Sequence, residues 1–238
     1  MANRELPCPG PGGRQTAGMF IGHLGVGLAL KKAEPRLSLG WLFLAVMLPD
    51  VVLWLFVLAG VETVRIPADY ATRRYLTFVF PYSHGLVAVI GWAVLAYLAG
   101  KMTRGVHAGG VLALGVFSHF VLDWLVHPPE LPLAGERTLM VGLGLWDHLP
   151  LALLLEMALL AGGAWLYFRA TRGGVFGARY GMGVFLGVLA GLAIGGQAFG
   201  PPPPSVTQLA GSSLGILVLT CALAAWLDRR RRPSGEGG

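Results

Sequence analysis

Long apolar runs separated by short polar or charged segments fill most of the chain. A helix needs about 20 consecutive apolar residues to cross a bilayer. Runs approaching that length predict about six crossings, by residues 37–60, 77–100, 106–126, 149–168, 180–199 and 211–227. A shorter run, residues 19–30, would reach only about 18 Å as a helix. We predict that this run enters the bundle as a half-helix without crossing.

The composition agrees with a membrane protein. Of the 238 residues, 55% are hydrophobic and 13% are charged, whereas about 25% of a soluble domain is charged. We therefore predict an all-α fold, a polytopic transmembrane helix bundle over residues 19–228. Residues 1–18, which lack the apolar core of a secretory signal, are predicted to be a disordered arm. Residues 229–238 are predicted to be a disordered basic tail.

The basic residues give the bundle an orientation, because Lys and Arg are retained on the cytoplasmic side of a membrane. With both termini inside, 14 of the 18 basic residues are cytoplasmic and four are external. The four external ones are Arg65, Arg73, Arg74 and Arg137. We predict a multi-pass protein of the plasma (inner) membrane, with the lipid bilayer as its partner. Its basic segments would face anionic lipid. No soluble basic domain is present to hold nucleic acid.

Acidic and imidazole side chains interrupt the apolar runs at similar depths. In SHFVLDWLVH, the polar positions His119, Asp123 and His127 recur every four residues, on one face of a helix. Counting about 1.5 Å per helical residue places Asp50 and His119 about 20 Å from the cytoplasmic edge. The same counting brings three further side chains near that layer, namely His84, Glu156 and, at about the midplane, His23.

Buried ionisable groups in a membrane normally face each other, a water-filled cavity or an ion. Imidazole nitrogens and carboxylate oxygens suit zinc, manganese or iron. The pair His119-x-x-x-Asp123 resembles the helical ligand pairs of zinc enzymes. We therefore predict a divalent metal site, for zinc in the first place and for manganese or iron as alternatives.

Four short motifs cover roughly residues 19–127, in the chain order Gly22-His23, Leu48-Pro49-Asp50, Ser83-His84-Gly85 and Ser118 to Asp123. Their order resembles that of the membrane-bound metal-dependent hydrolases of the YdjM type. The resemblance implies a multi-pass inner-membrane protein with a hydrolase activity. It also implies the metal ligands His23, Asp50, His84, His119 and Asp123.

The leading hypothesis is a hydrolase that cleaves an ester or phosphoester of a lipid or lipid-linked substrate with metal-activated water. Glu156 or His127 would then move the proton. His127, one turn beyond Asp123 and followed by two prolines, is expected outside the direct ligands, in a position that water reaches. The alternatives are an ion- or proton-coupled transporter that uses the same cluster, and a haem protein with His84 and His119 as axial ligands. The oligomeric state stays open.

Glycine recurs every four residues at Gly183, Gly187, Gly191 and Gly195. Such a stripe makes a flat helix face on which a neighbouring backbone can approach closely. We predict that this face packs against another helix of the bundle.

Overall fold

The computed structural model describes residues 19–70, 76–173 and 176–233. Eight α-helices make up most of this part of the chain. In order they are α1 (Ile21–Ala33), α2 (Leu39–Val46), α3 (Leu48–Leu58), α4 (Leu86–Arg104), α5 (Val106–Val126), α6 (Leu149–Ala170), α7 (Phe176–Phe199) and α8 (Val206–Asp228). A short 3-10 helix, Leu145–His148, leads into α6.

Three small antiparallel strand pairs lie at the ends of the helices. They join β1 (Thr63–Arg65) to β2 (Thr77–Val79), β3 (Leu131–Pro132) to β4 (Met140–Val141), and β5 (Thr171–Gly173) to β6 (Arg231–Pro233). The last pair includes part of the segment predicted to be a disordered tail, while residues 234–238 and the predicted arm 1–18 lie outside the described residues.

Five of the described helices are long and apolar enough to cross a membrane, and the bent pair α2 and α3 makes a possible sixth. Their outward faces carry large apolar side chains, among them Leu95, Val184 and Leu192 at 55%, 65% and 69% exposure. A soluble protein does not expose apolar surface over whole helices. The predicted all-α polytopic bundle is therefore confirmed, with α1, 13 residues and about 20 Å long, as the short half-helix.

Two predicted crossings differ from continuous helices. The first bends by 60° between α2 and α3, because Pro49 has no N–H to continue the hydrogen-bond ladder of α2. The second was predicted to be helical from residue 77, but α4 begins only at Leu86. The β-branched and aromatic residues Thr77, Phe78 and Val79 form a strand instead.

One end of the bundle is basic and is fastened by a buried ion pair. Lys31 at the end of α1 donates to Asp228 Oδ2 at 2.7 Å and to the carbonyl of Leu37 at 2.6 Å. Asp228 also accepts from the backbone N–H of Leu39 at 3.0 Å and from the Tyr167 hydroxyl at 3.0 Å. Since each charge has several partners, its desolvation is compensated. The ion pair connects α1, α2, α6 and α8 at this end.

Glycines bring three pairs of helices into close backbone contact. A Cβ at Gly163 of α6 would overlap the backbone of Gly25 in α1, and one at Gly100 of α4 would lie 2.7 Å from the Cα of Gly109 in α5. A Cβ at Gly40 of α2 would lie 2.6 Å from the carbonyl oxygen of Cys221 in α8. Small residues at crossing points are how membrane helices gain packing contacts.

The predicted glycine stripe of α7 does not pack in this way. A Cβ at Gly187, Gly191 or Gly195 would meet nothing within 4 Å, and one at Gly183 would just touch Phe168 at 4.0 Å. The expectation that this face packs within the bundle is therefore wrong for the described residues. The repeat alone did not identify which glycines lie at helix crossings.

Two matched substitutions test this assignment. Gly163→Ala should lower the thermal unfolding midpoint and the yield of folded protein in detergent, because the new methyl group overlaps the α1 backbone. Gly187→Ala should leave the midpoint unchanged or raise it, since alanine is favoured over glycine in a helix by about 1 kcal/mol. A loss of stability at Gly187 with none at Gly163 would contradict the packing described.

Candidate metal centre

Five buried or half-buried side chains converge inside the bundle. They are His23 of α1, Asp50 of α3, His84 of the loop before α4, and His119 and Asp123 of α5. Two overlapping sets have potential ligand atoms within 4.8 Å of one another, namely His23 with His119 and Asp123, and Asp50 with His84 and His119. The structure thus brings together every residue that the motifs implied as a metal ligand.

Asp123 lies at the middle of the group. Its Oδ2 atom is 3.1 Å from His119 Nε2 and 3.6 Å from His84 Nε2. Its other oxygen, Oδ1, is 3.2 Å from His23 Nε2. One carboxylate therefore contacts three imidazoles, and its side chain is only 4% exposed.

Asp50 is the second carboxylate of the group and contacts two of the same imidazoles as Asp123. Its Oδ1 atom lies 3.4 Å from His84 Nε2 and 3.9 Å from His119 Nε2. The two Nε2 atoms of His84 and His119 are themselves 3.2 Å apart. The two imidazole nitrogens thus lie close to each other and to one oxygen of each carboxylate.

The hydrogen bond that His119 makes to Val46 shows why this arrangement favours a cation. His119 Nδ1 lies 2.8 Å from the carbonyl oxygen of Val46, to which it can only donate. In a neutral ring Nε2 then carries a lone pair. This lone pair faces the Nε2 of His84 and the carboxylate oxygens of Asp123 and Asp50. Such a convergence of acceptors is unfavourable unless a proton or a metal ion lies between them.

The spacing of the acceptors is compatible with a bound ion in either of two overlapping sets. Ligands about 2.0–2.1 Å from a tetrahedral ion lie about 3.3 Å from one another. The two imidazole nitrogens of His84 and His119 lie 3.2 Å apart, and each lies 3.1 to 3.9 Å from an oxygen of Asp50 and of Asp123. Asp50 and Asp123 belong to different metal-competent sets, and either set could hold a divalent ion.

The bend between α2 and α3 prepares two parts of this site. The carbonyls in the last turn of a helix lack intrahelical partners, and the one at Val46, the last residue of α2, accepts the N–H of His119. Asp50 lies in the first turn of α3, immediately after Pro49. The bend thus positions Asp50 and also holds the ring of His119, two candidate ligands.

The loop that carries His84 is held by a residue that the sequence analysis did not single out. Glu62 is 3% exposed, and its Oε1 accepts the backbone N–H groups of Tyr82 and Ser83 at 2.8 and 2.9 Å. Ser83 Oγ is in turn 2.8 Å from His84 Nδ1. Gly85 is required beside it, because a Cβ there would lie 2.5 Å from the carbonyl oxygen of Pro81.

His23 is the most peripheral of the five. Its ring stacks on that of His119, with centroids 4.0 Å apart and planes 8° from parallel. Its Nε2 contacts Asp123, while its Nδ1 is buried and has no hydrogen-bond partner in the described part of the chain. His23 is therefore placed to support Asp123 and to complete the ligand set from the α1 side.

Glu156, predicted as a proton carrier, lies at the start of α1. Its side chain is fully buried, with Oε2 accepting the backbone N–H of Ile21 at 3.1 Å and Oε1 accepting Nε2 of Gln197 at 3.1 Å. The first N–H groups of a helix lack intrahelical partners, and a negative charge there is favourable. Neither metal-competent group includes Glu156. The contacts indicate that it anchors the helix carrying His23.

His127 lies next to Asp123 but in a drier position than expected. It follows the last residue of α5, as the two prolines predicted, yet it is only 6% exposed, so the expectation that water solvates it is wrong. Its ring packs on that of Trp146, centroid to centroid at 4.1 Å. Nε2 is 3.9 Å from Asp123 Oδ2, and Nδ1 donates to Glu130 Oε1 at 2.5 Å.

The charge around His127 counteracts its burial. Burial alone would lower the pKa of the imidazole, but the hydrogen bond to Glu130 and the charge of Asp123 raise the pKa above the usual histidine value. The contacts place His127 beside the group of four acceptors and joined to it through Asp123.

No protein-family model, curated protein or solved structure matches this chain. The resemblance to the YdjM-type hydrolases therefore stays a prediction from the short motifs. The geometry of the site provides the independent support for a metal centre.

The role of Glu62 can be tested through metal affinity. Glu62→Ala removes the acceptor for two buried N–H groups and should weaken metal binding about 10- to 100-fold, as loss of a supporting partner of a ligand typically does. Glu62→Gln keeps a carbonyl oxygen in the same place and should bind nearly as tightly as wild type. Competition with a chelator measures both affinities. Equal affinity in Glu62→Ala and wild type would contradict the role.

Proposed function

We propose that this protein is a membrane-embedded metal-dependent hydrolase acting on an ester or phosphoester of a lipid or lipid-linked substrate. The observation that carries the proposal is the convergence of four acceptor atoms from Asp50, His84, His119 and Asp123 inside an apolar bundle. A divalent ion held there supplies a Lewis acid and a means of activating water near neutral pH.

The exposure of the ligands supports a reactive rather than a purely structural site. The side chains of His84, His119 and Asp123 are 5%, 1% and 4% exposed, whereas that of Asp50 is 25% exposed. Catalytic metal sites keep one position open, while structural sites are closed on all sides. The open side at Asp50 is where a substrate would reach the centre.

The surroundings of the site favour a lipid-like substrate. Asp50 lies on α3, the second helix of the bent span. The other residues of α3 are apolar, and Leu55 on this helix is 51% exposed. A substrate approaching from this side would meet apolar surface before it meets the carboxylate. A lipid or lipid-linked molecule can leave its chain in the bilayer and present its polar bond to the site.

Different residues would bind the ion and transfer protons. Asp50, His84, His119 and Asp123 would hold the ion, with His119 fixed by the Val46 carbonyl and His84 by Ser83. His127 contacts Asp123 and Glu130, and it would accept a proton released at the centre and pass it to Glu130, whose side chain is 17% exposed. General acid-base transfer of this kind requires a chain of groups in near contact.

The bend between α2 and α3 keeps a transporter as the alternative. Transporters often bind ions at the break of a discontinuous helix, and Asp50 lies just beyond such a break, bent by 60°. In that reading the cluster would bind a travelling ion or proton. Reconstituted vesicles separate the two readings, because a hydrolase releases product from a lipid substrate without moving the ion, whereas a transporter moves the ion across the membrane.

Metal content of purified variants is the first test. His119→Ala and Asp123→Ala should retain less than about a tenth of the wild-type metal after dialysis, because each removes a candidate ligand from the metal-competent sets. His127→Ala should retain metal that a chelator removes about 10- to 100-fold more easily. Elemental analysis of detergent-purified protein measures the content, and circular dichroism checks the fold.

His107→Ala is the matched control, since His107 is exposed at the basic end and contacts the carbonyl of Ala33. It should bind metal as the wild type does. Wild-type metal content in all three cluster variants would contradict the metal centre. Complete loss in His127→Ala would make His127 a direct ligand.

Activity tests the hydrolase reading itself. Metal-loaded protein in detergent should release nitrophenol from a nitrophenyl ester or phosphate, and Asp50→Asn should abolish release through loss of the ligand at the open side. The metal-retaining variant His127→Ala should turn over more slowly than wild type. Metal-dependent ion flux in vesicles without any hydrolysis would support the transporter instead.

A further inference from the structure

A group of arginines lies at the basic end of the bundle, outside the candidate metal centre. Pairing of β5 with β6 places Arg172 directly opposite Arg232. Side chains directly opposite one another in an antiparallel pair have Cβ atoms about 4.5–5.5 Å apart, and like charges in such positions are destabilising. The fold therefore gathers two positive charges where a neutral pair would be more stable.

More arginines surround this pair. Arg179 at the start of α7 and Arg229 and Arg230 after α8 are exposed, as are Arg172 and Arg232. We call these five residues the arginine surface. Arg231, which lies between Arg230 and Arg232 in sequence, is not counted among them. Its guanidinium group is bound within the protein, where it donates to Thr171 Oγ1 at 2.9 Å and to the Thr171 carbonyl at 3.0 Å.

The described part of the chain shows no ion pair that would compensate the charge of the opposed pair. Among the described residues, no carboxylate forms an ion pair with Arg172 or Arg232. Asp228, four residues before Arg232, is 6% exposed and is already bound by Lys31 and Tyr167. An external anion would neutralise the opposed arginines.

Aromatic contacts place the arginine surface at the level of lipid headgroups. The Arg230 guanidinium lies 3.8 Å from the ring centre of Trp226, and that of Arg179 lies 5.6 Å from the ring centre of Tyr180. Tryptophan and tyrosine concentrate at the membrane-water interface. Exposed apolar side chains continue along the same helices, including Leu223 and Val184, where acyl chains would lie.

We propose that the arginine surface binds the phosphate group of an anionic phospholipid in the leaflet at this end of the bundle. The guanidinium group forms paired hydrogen bonds with phosphate oxygens. Two opposed guanidinium groups can therefore hold one phosphate from both sides. This inference does not depend on the metal centre, and each can fail without the other.

The test uses the full chain purified in a neutral detergent. Three additives are titrated at matched ionic strength: dihexanoyl phosphatidylglycerol, the neutral dihexanoyl phosphatidylcholine, and inorganic phosphate. Phosphatidylglycerol should raise the thermal unfolding midpoint in a saturable way, because a ligand that binds the native state stabilises it. Phosphatidylcholine should not. An equal shift with inorganic phosphate at the same concentration would overturn the lipid assignment.

The variant Arg172→Gln with Arg232→Gln removes the opposed pair. Each basic residue near an anionic lipid contributes about fivefold in binding, so the double variant should bind phosphatidylglycerol roughly 25-fold more weakly. Without lipid, its unfolding midpoint should equal or exceed that of wild type, because the repulsion between the opposed arginines is gone. The single variant Arg232→Gln, with a loss of about fivefold, serves if the double variant does not fold.

Lys101→Gln with Arg104→Gln is the matched control. It removes the same charge from the end of α4, at the same end of the bundle but outside the arginine surface. It should bind phosphatidylglycerol within about twofold of wild type, since the phosphate contacts are local. Wild-type binding by the double arginine variant, or an equal loss in the control, would overturn the proposed site.

Discussion

Two carboxylates lie inside an apolar bundle, and the free energy needed to bury them constrains the rest of the structure. Asp50 and Asp123 both face the imidazoles of His84 and His119, with His23 beyond them. Buried charges in a membrane are tolerated only when they are paired, hydrated or bound to an ion. In a neutral His119 ring the Nε2 lone pair faces the carboxylates and repels them, so added positive charge would stabilise the cluster. A proton or a divalent ion would supply it, and the cluster contains sets of side chains that could hold such an ion.

The departures from regular helix in the membrane region occur around this cluster. The bend after Val46 frees a carbonyl for His119, and the buried start of α1 is satisfied by Glu156. The loop before α4 presents His84 and is held by Glu62. Irregular backbone at membrane depth is stable only where other groups replace the missing hydrogen bonds. Each irregular segment here has such a partner, and each positions a side chain of the site.

Much of this arrangement can be predicted from the sequence. Long apolar runs predicted the spans, and the span from Val106 to Val126 was predicted with its observed bounds. The His119 and Asp123 spacing predicted their shared face, which the structure shows as a 3.1 Å contact. Depth counting brought Asp50 to the level of His119, because helix rise per residue is nearly constant.

Other features depend on tertiary contacts that no local pattern contains. His84 was placed by counting along a helix that in fact begins at Leu86, and its position is set by Glu62, which is 21 residues from Ser83 in sequence. Glu156 was assigned to proton transfer by depth alone, whereas its contacts are with the start of α1. The burial of His127 under Trp146 depends on a loop folding back, which neither spacing nor depth predicts.

X-ray absorption at the metal edge of the purified wild-type protein is the sharpest test of the metal centre. A bound divalent ion should show nitrogen and oxygen neighbours at about 2.0–2.1 Å, together with the outer-shell scattering of imidazole rings that His84 and His119 would give. A spectrum with oxygen neighbours alone and no imidazole scattering would contradict the metal centre, as would a protein that binds no divalent ion when folded and exposed to one.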